Sequence, residues 1–475
     1  MKGNSVVKNY IFNLSYQSVL ALSPILTQPY LARVLDRAEI GEYVFSQTVV
    51  SYFILFCTFG FNVFGQREIA YVGNKKSERG TVLCNIVVAK IILFVVALCV
   101  YILLVLNNVS DKLIYVIQLI DIISVIFDFA WFFQGVENFK IIAIRNCLAR
   151  VSSLILIFLC VKEKNDLPIY VLICSVTLLL SNLSYIFYLR NYANIKLTMI
   201  NEEKIKLYFK FSLWMFLPQA CSSIYTVVDK TMLGLIAGVS EVASYDYSQK
   251  IIYIILSVVT SVGVVMMPRV AALYSEKKLN EVHEYIYNSV RFVFCVSFPV
   301  LVIIFEFSDW FALWFWGENF KDAGNVLRIL SLILVFVGLS NVIGIQYLIP
   351  TGREKEFSKT LIAGSVFNFT VNVCLIRYFG LEGMCITSVL TEGLILILQL
   401  RAVRSDIKCD SFIFISYKYV VASLVMWCAV RGLLFIFEFH ILTNSFILVI
   451  SILIYMFSLY LMNEKLVRII LDKIR

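Results

Sequence analysis

Charge is scarce in this sequence: Asp, Glu, Lys and Arg make up 15% of its 475 residues. Histidine is nearly absent, with His283 and His440 alone, so a histidine-built metal centre is excluded. No two of the 12 cysteines form a CxxC pair, and most lie inside apolar runs such as LFCTF and IFLCV. They read as small buried hydrophobes, which excludes a disulfide framework or a zinc knuckle. No GxxxxGK[ST] stretch exists, which excludes ATP hydrolysis on a P-loop in this chain. No polar connection exceeds about 20 residues, so there is no separate soluble domain to carry catalysis. No cofactor is expected.

What the sequence has is apolar residues, 60% of the total, with a mean hydropathy of +0.85. Runs of 18 or more recur from end to end, each long enough to cross a bilayer of roughly 30 Å. The fold class is therefore an all-α polytopic membrane protein with about 14 transmembrane helices. Seven lie near 9–35, 42–64, 81–106, 112–134, 141–161, 167–189 and 208–237. Seven more lie near 245–268, 288–308, 323–349, 357–377, 383–403, 412–437 and 441–462. The first run continues through PILTQPYLARVL with no small-residue cleavage site, and reads as a retained helix, not a signal peptide.

Basic residues cluster in alternate connections. Arg67, Lys75, Lys76 and Arg79 form one cluster, Lys196, Lys204, Lys206 and Lys210 the next, then Arg269, Lys277 and Lys278. Arg353, Lys355 and Lys359, then Arg401, Arg404 and Lys408, and both tails complete the set. The opposite connections are poor in Lys and Arg, and that around 306–322 sets four acids against Lys321. The positive-inside rule then places both termini in the cytoplasm. The net charge of +9 reads as a topology signal facing an anionic leaflet, with no nucleic-acid partner needed.

EIGEYVFSQT at 39–48 returns as EVASYDYSQK at 241–250. Glu39, Tyr43, Ser46 and Gln47 match Glu241, Tyr245, Ser248 and Gln249 at a constant offset of 202. At that offset Arg67 and Ala70 match Arg269 and Ala272, and Lys75-Lys76 match Lys277-Lys278. The reading is a parallel repeat of two six-helix lobes, over 1–200 and 201–405, with helices 13 and 14 and a cytoplasmic tail over 406–475. Two equal lobes related by an axis along the membrane normal are used by alternating-access transporters, whose substrate site lies between them.

The stretches QPYLARVL (28–35), IGEYVFSQ (40–47) and FGFNVFGQREIA (59–70) resemble the N-terminal signature of Wzx-type O-antigen flippases. Those are polysaccharide exporters of the MOP superfamily, alongside the MATE exporters. The motif resemblance is concentrated in the first 80 residues, and the fourteen-helix layout extends it over the chain. It implies an undecaprenyl-pyrophosphate-linked oligosaccharide as cargo, moved from the cytoplasmic to the periplasmic leaflet of a bacterial inner membrane. It also implies a monomer working beside an O-antigen polymerase and a chain-length regulator.

Charges inside the apolar runs are the candidate site, because an ionisable group at mid-bilayer costs about 2.5–3.5 kcal/mol on insertion scales. A pyrophosphate crossing that region calls for cations. The substrate-binding candidates are Lys230, Lys250, Arg33, Arg328, Arg150 and Lys90. The ion-coupling candidates are Asp121, Asp128, Asp229 and Asp246. Asp246 and Lys250, four apart on a helix, are equally placed to pair with each other. Asp121 and Asp128, seven apart, share one face of their helix, placed to carry protons for coupling or to pair with Arg150 or Lys90. Arg150 and Lys90 have the alternative of snorkelling to lipid phosphates. Glu392 and Lys418 are further charges within spans. Pro24, Pro29 and Pro218 open bending points in the first helix of each lobe. SDWFALWFWGENF (308–320) reads as an interfacial aromatic belt, with a sugar-stacking platform as the other reading. A MATE-like exporter of small molecules is the rival within the same class, and a membrane polymerase or ligase the rival among enzymes.

Overall fold

Water is absent from hydrocarbon, so each backbone N–H and C=O there must be satisfied within its own segment, and this chain does so by forming helix. The computed structural model describes residue 19 and residues 22–109, 112–408, 410–436 and 441–468. Among the described residues there is no strand. The elements are α1 (22–34), α2 (Arg37–Thr58), α3 (Phe61–Val72), α4 (Lys76–Val100), α5 (Lys112–Ile117), α6 (Leu119–Ser124), α7 (Ala130–Gly135) and α8 (Phe139–Cys160). They continue with α9 (Leu167–Leu183), α10 (Tyr185–Tyr192), α11 (Glu202–Ile236), α12 (Val239–Ser275) and α13 (Leu279–Phe315). The last are α14 (Ala323–Ser331), α15 (Ile333–Ile343), α16 (Glu354–Val403), α17 (Asp410–Ile436) and α18 (Ile441–Leu461).

Among the described residues, 11 helical stretches are long and apolar enough to cross a membrane. One of these, α16, is double. Its backbone reverses at Gly380 (φ 55, ψ −128), a left-handed conformation that an L side chain resists. Gln399 reaches Thr360 and Ile395 lies against Gly364, so the two halves run antiparallel. Among the described residues that makes twelve, and α1 and the 35-residue α11 stand where the two further expected helices lie. Phe187, Phe414 and Phe435 are 80%, 74% and 93% exposed, which in this setting is contact with lipid.

The chain divides into two compact units, Met1–Ala243 and Ser244–Arg475. In the first, Phe61, Phe64, Trp131, Phe132, Phe133 and Tyr185 form an aromatic core, with ring pairs such as Phe133–Tyr185 stacked at 5.1 Å. α11 runs antiparallel along α2 and α3: Phe45 meets Gly234, Tyr52 bonds Thr231 at 2.9 Å, and Phe61 packs on Phe209. In the second unit α13 is the hub, packed on α14, α15 and α17. The aromatic phrase divides here. Trp310 and Trp314 stack in parallel at 5.5 Å with Trp314 exposed, whereas Trp316 and Phe320 are buried around Tyr247.

The repeat is visible in the elements. α2 begins at residue 37 and α12 at 239, the offset read from the sequence. Glu39 closes a capping box by accepting from the Asp36 N–H. Glu241 sits in the first turn of α12 and pairs with Arg37 at 2.7 Å, so the starts of α2 and α12 lie side by side. The lysine pairs match too. Their partners differ: Lys75 bonds Glu78 at 2.8 Å, whereas in the second pair it is Lys278, the counterpart of Lys76, that bonds Glu276 at 2.7 Å, and each hydrogen bond raises the affinity of its lysine for a proton.

Three expectations change. The helix expected over 112–134 is broken: a 3-10 turn at Val125–Phe127 leads to an extended Asp128 before α7 restarts. Asp121 and Asp128 therefore do not share a helix face. α1 and α11 run unbroken through Pro24, Pro29 and Pro218, and α2–α3 instead bends at Phe59-Gly60, both left-handed. Helices also extend past the hydropathy limits, α12 to Ser275 and α13 from Leu279, because polar cytoplasm-type residues continue a helix once it is nucleated.

Candidate functional site

The break in the α6–α7 region decides the place of Lys90. An interrupted helix frees carbonyls that hydrocarbon cannot satisfy. Asn182 Nδ2 donates to Ser124 O at 3.1 Å, and Asp128 Oδ1 accepts from Ala130 N–H at 3.1 Å. Lys90 Nζ, 1% exposed, donates to Asp128 O at 3.4 Å and to Asn62 Oδ1 at 2.8 Å, over the Trp131 ring. Lys90 thus holds the break together and does not reach a headgroup. Lys90→Met is expected to lower the stability of the purified protein by about 1–3 kcal/mol, read from thermal unfolding, because two buried acceptors lose their donor.

Asp121 is buried on α6 near Ser175 and Tyr43 of the repeat phrase, and its Oδ1 has no hydrogen-bond partner. Arg150 is exposed on α8. Five residues earlier stands a cation that the sequence reading passed over. Arg145 donates to Ser181 Oγ (2.8 Å), Asn182 Oδ1 (3.0 Å), Asn146 Oδ1 (2.6 Å) and Tyr185 OH (2.8 Å), with its guanidinium 3.7 Å from the Tyr185 ring centre. The polar run Ser181-Asn182 inside an apolar helix was the signal for it. Arg33 donates to Pro29 O at 2.7 Å at the end of α1. Asp229 is buried and Lys230 half-buried on α11, beside the Tyr52–Thr231 bond.

In the second unit Lys250 Nζ lies 2.6 Å from Asp246 Oδ2, with the side chains 41% and 4% exposed. The helix spacing and the pairing are both realised, and the lysine side chain stays partly exposed. Around them the repeat phrase is buried: Gln249 donates to Tyr245 OH at 3.1 Å, and Ser248 to Ala323 O at 3.4 Å. Arg328 bonds Asp309 and Phe305 O, so its charge is matched by a carboxylate. Glu392 is half-buried on α16. Lys418 Nζ donates to Met462 O and Asn463 O. The structure joins Asp246 with Lys250 and Lys90 with the Asp128 backbone, and gives Arg328 a partner outside the expected set. Among the described residues no group of His, Cys, Asp or Glu is arranged to hold a metal ion.

Residues 6–273 match the family described as "Polysaccharide biosynthesis protein", and residues 215–374 match MatE. A "Putative O-antigen transporter" of Shigella dysenteriae is 24% identical over 407 residues, covering 85% of this chain and 100% of the relative. A protein of the same name in Escherichia coli (strain K12) is 25% identical, covering 85% of this chain and 97% of the relative. Among solved structures, "Lipid II flippase MurJ, inward closed conformation" superimposes with a TM-score of 0.78 at 13% identity, over 97% of this chain and 100% of the other. An inward-facing multidrug resistance MATE family transporter of the MOP superfamily gives 0.65 at 15% identity, over 82% and 94%. At those identities the likeness is one of fold, the MOP-like arrangement of membrane helices.

Proposed function

The chain belongs to the polysaccharide biosynthesis protein family, and on that premise we propose that it is a flippase for a lipid-linked oligosaccharide. Its cargo is an O-antigen repeat unit on undecaprenyl pyrophosphate, carried from the cytoplasmic to the periplasmic leaflet of the inner membrane by alternating access. The protein makes and breaks no covalent bond, and both termini lie in the cytoplasm. The observation that carries this reading is the coverage of the named O-antigen transporters, 85% of this chain in each case. The distribution of basic connections supports the orientation.

The pyrophosphate is met by cations that keep an accessible donor. Lys250 is the foremost: Asp246 engages its ammonium at 2.6 Å, and an ammonium has three donors. Lys230 on α11 is a second cation offered to the cargo, and Arg33 a third at the end of α1. Asp121, buried with its Oδ1 unpartnered, is the carboxylate best placed to take up an ion during the cycle.

Loss of the gene is the cellular test. Surface O-antigen should disappear while lipid-linked repeat units accumulate, reachable only from the cytoplasmic face. A mutant that displayed single repeat units at its surface would have lost polymerisation instead, and the flippase reading would fall.

A further inference from the structure

A cavity of about 390 Å³ opens in the second unit where α17 begins, walled by α17, α13 and the turn that follows α18. The apolar span of α17 starts at Ser411 and that of α18 ends at Leu461. The cavity therefore lies at the level where hydrocarbon gives way to lipid headgroups. Its lining carries three cations, Arg291, Lys418 and Lys465, and a single acid, Glu464.

The acid is consumed internally. Glu464, with its side chain 3% exposed, lies 3.3 Å from Arg291 Nε and accepts from the N–H groups of Leu466 and Val467, capping the turn that follows. Two of the cations are ion-paired, Arg291 with Glu464 and Lys465 with Glu284, yet each keeps further donors. Lys418 spends two N–H groups on Met462 O (2.9 Å) and Asn463 O (3.3 Å), the carbonyls at the end of α18. Lys465 spends one on Glu284 at 2.7 Å and is 49% exposed. Arg291 also bonds Asn288 at 3.3 Å. An ammonium has three donors and a guanidinium five, so N–H groups remain on all three. Beside this basic floor stands Phe414, 74% exposed and facing lipid.

A pocket that is basic at headgroup depth, with a hydroxyl from Ser411 and an apolar rim, matches an amphiphile with an anionic phosphate end. We propose that it binds the phosphodiester headgroup of an anionic membrane phospholipid. The phosphate sits among Lys418, Lys465 and Arg291, and the acyl chains leave past Phe414. The bound lipid ties α13, α17 and α18 together, independently of the cargo site.

The test uses the detergent-purified full chain and native mass spectrometry, with phosphatidylglycerol, phosphatidylethanolamine and inorganic phosphate as separate probes. Phosphatidylglycerol should be retained in preference to phosphatidylethanolamine. Lys465→Gln should weaken its binding about fivefold, the share of one lysine near an anionic surface. Ser411→Trp, which fills the cavity and leaves every charge in place, should remove the preference. Lys465→Gln alters an exposed side chain and decides the matter if Ser411→Trp does not fold. Equal retention of the two lipids, or unchanged phosphatidylglycerol binding in the folded variants, overturns the proposal. Displacement of phosphatidylglycerol by inorganic phosphate at equal concentration would make the ligand the free ion and overturn the lipid assignment.

Discussion

Lys250→Ala is expected to cost about 3 kcal/mol of stability and to abolish transport. Asp246 is 4% exposed and Lys250 is its partner at 2.6 Å, so the substitution strips a buried carboxylate of its counter-ion. Removing one member of a buried pair is the costly operation, because the remaining charge stays desolvated. Asp246→Ala/Lys250→Ala removes both charges and should recover most of the loss, visible as a return of the membrane protein level and of the melting temperature. The cycle separates fold from function. If Lys250 meets the cargo, the double variant is stable and still transports at less than about a tenth of the wild-type rate, a deficit of ~1.4 kcal/mol or more. Lys250→Arg, which keeps the cation, should retain much of the activity. A fully active double variant at normal level would make Lys250 a structural residue.

Gly41→Val should be nearly as severe. Gly41 stands in the phrase IGEYVFSQ, and a Cβ built on it would lie 2.0 Å from the Val239 carbonyl oxygen and 2.6 Å from its carbon. Both contacts are backbone, so no side-chain rotation relieves them. The start of α12 would have to move off α2, taking the Arg37–Glu241 pair with it. Overpacking of this kind costs about 1–3 kcal/mol where neighbours can yield, and here the upper end is expected because they cannot. Gly432→Ala is the control: nothing lies within 4 Å of its Cβ position, and its effect should stay within about 0.5 kcal/mol. Thermal unfolding of the two purified variants makes the comparison.

Gly41 also explains part of the repeated phrase. Its counterpart at the same offset is Ala243, which is fully buried, so the smallest residue is required only where the second copy begins against the first. Glu39 caps α2, while Glu241 has become an inter-helix partner for Arg37. The phrase was legible because its residues do local work at a helix start. The same holds for Gly380, where FGLEG marks a reversal that hydropathy alone would place.

The broken helix over 112–135 was not legible. Nothing in SVIFDFAW is a proline or glycine, and the run is as apolar as its neighbours. The break persists because Lys90 and Asn182, 38 and 58 residues away from the carbonyls they serve, supply donors there. Tertiary donors of that kind have no local signature. For the same reason Lys418 read as an isolated charge inside a span, when its acceptors lie 44 and 45 residues further on. Arg328 shows the reverse case: its acid, Asp309, was counted in the acidic connection without being recognised as a partner.

Transbilayer movement of the cargo in reconstituted vesicles tests the central claim most directly. Vesicles carry undecaprenyl-pyrophosphate-linked oligosaccharide in both leaflets, and a membrane-impermeant glycosidase trims whatever faces outward. Protein-free vesicles should protect the inner half of the sugar. With the wild-type chain present, with or without an imposed proton gradient, protection should fall toward zero, while with the Asp246→Ala/Lys250→Ala variant it falls at less than about a tenth of that rate. Protection that stays at half with the folded wild-type protein under both conditions would contradict the account.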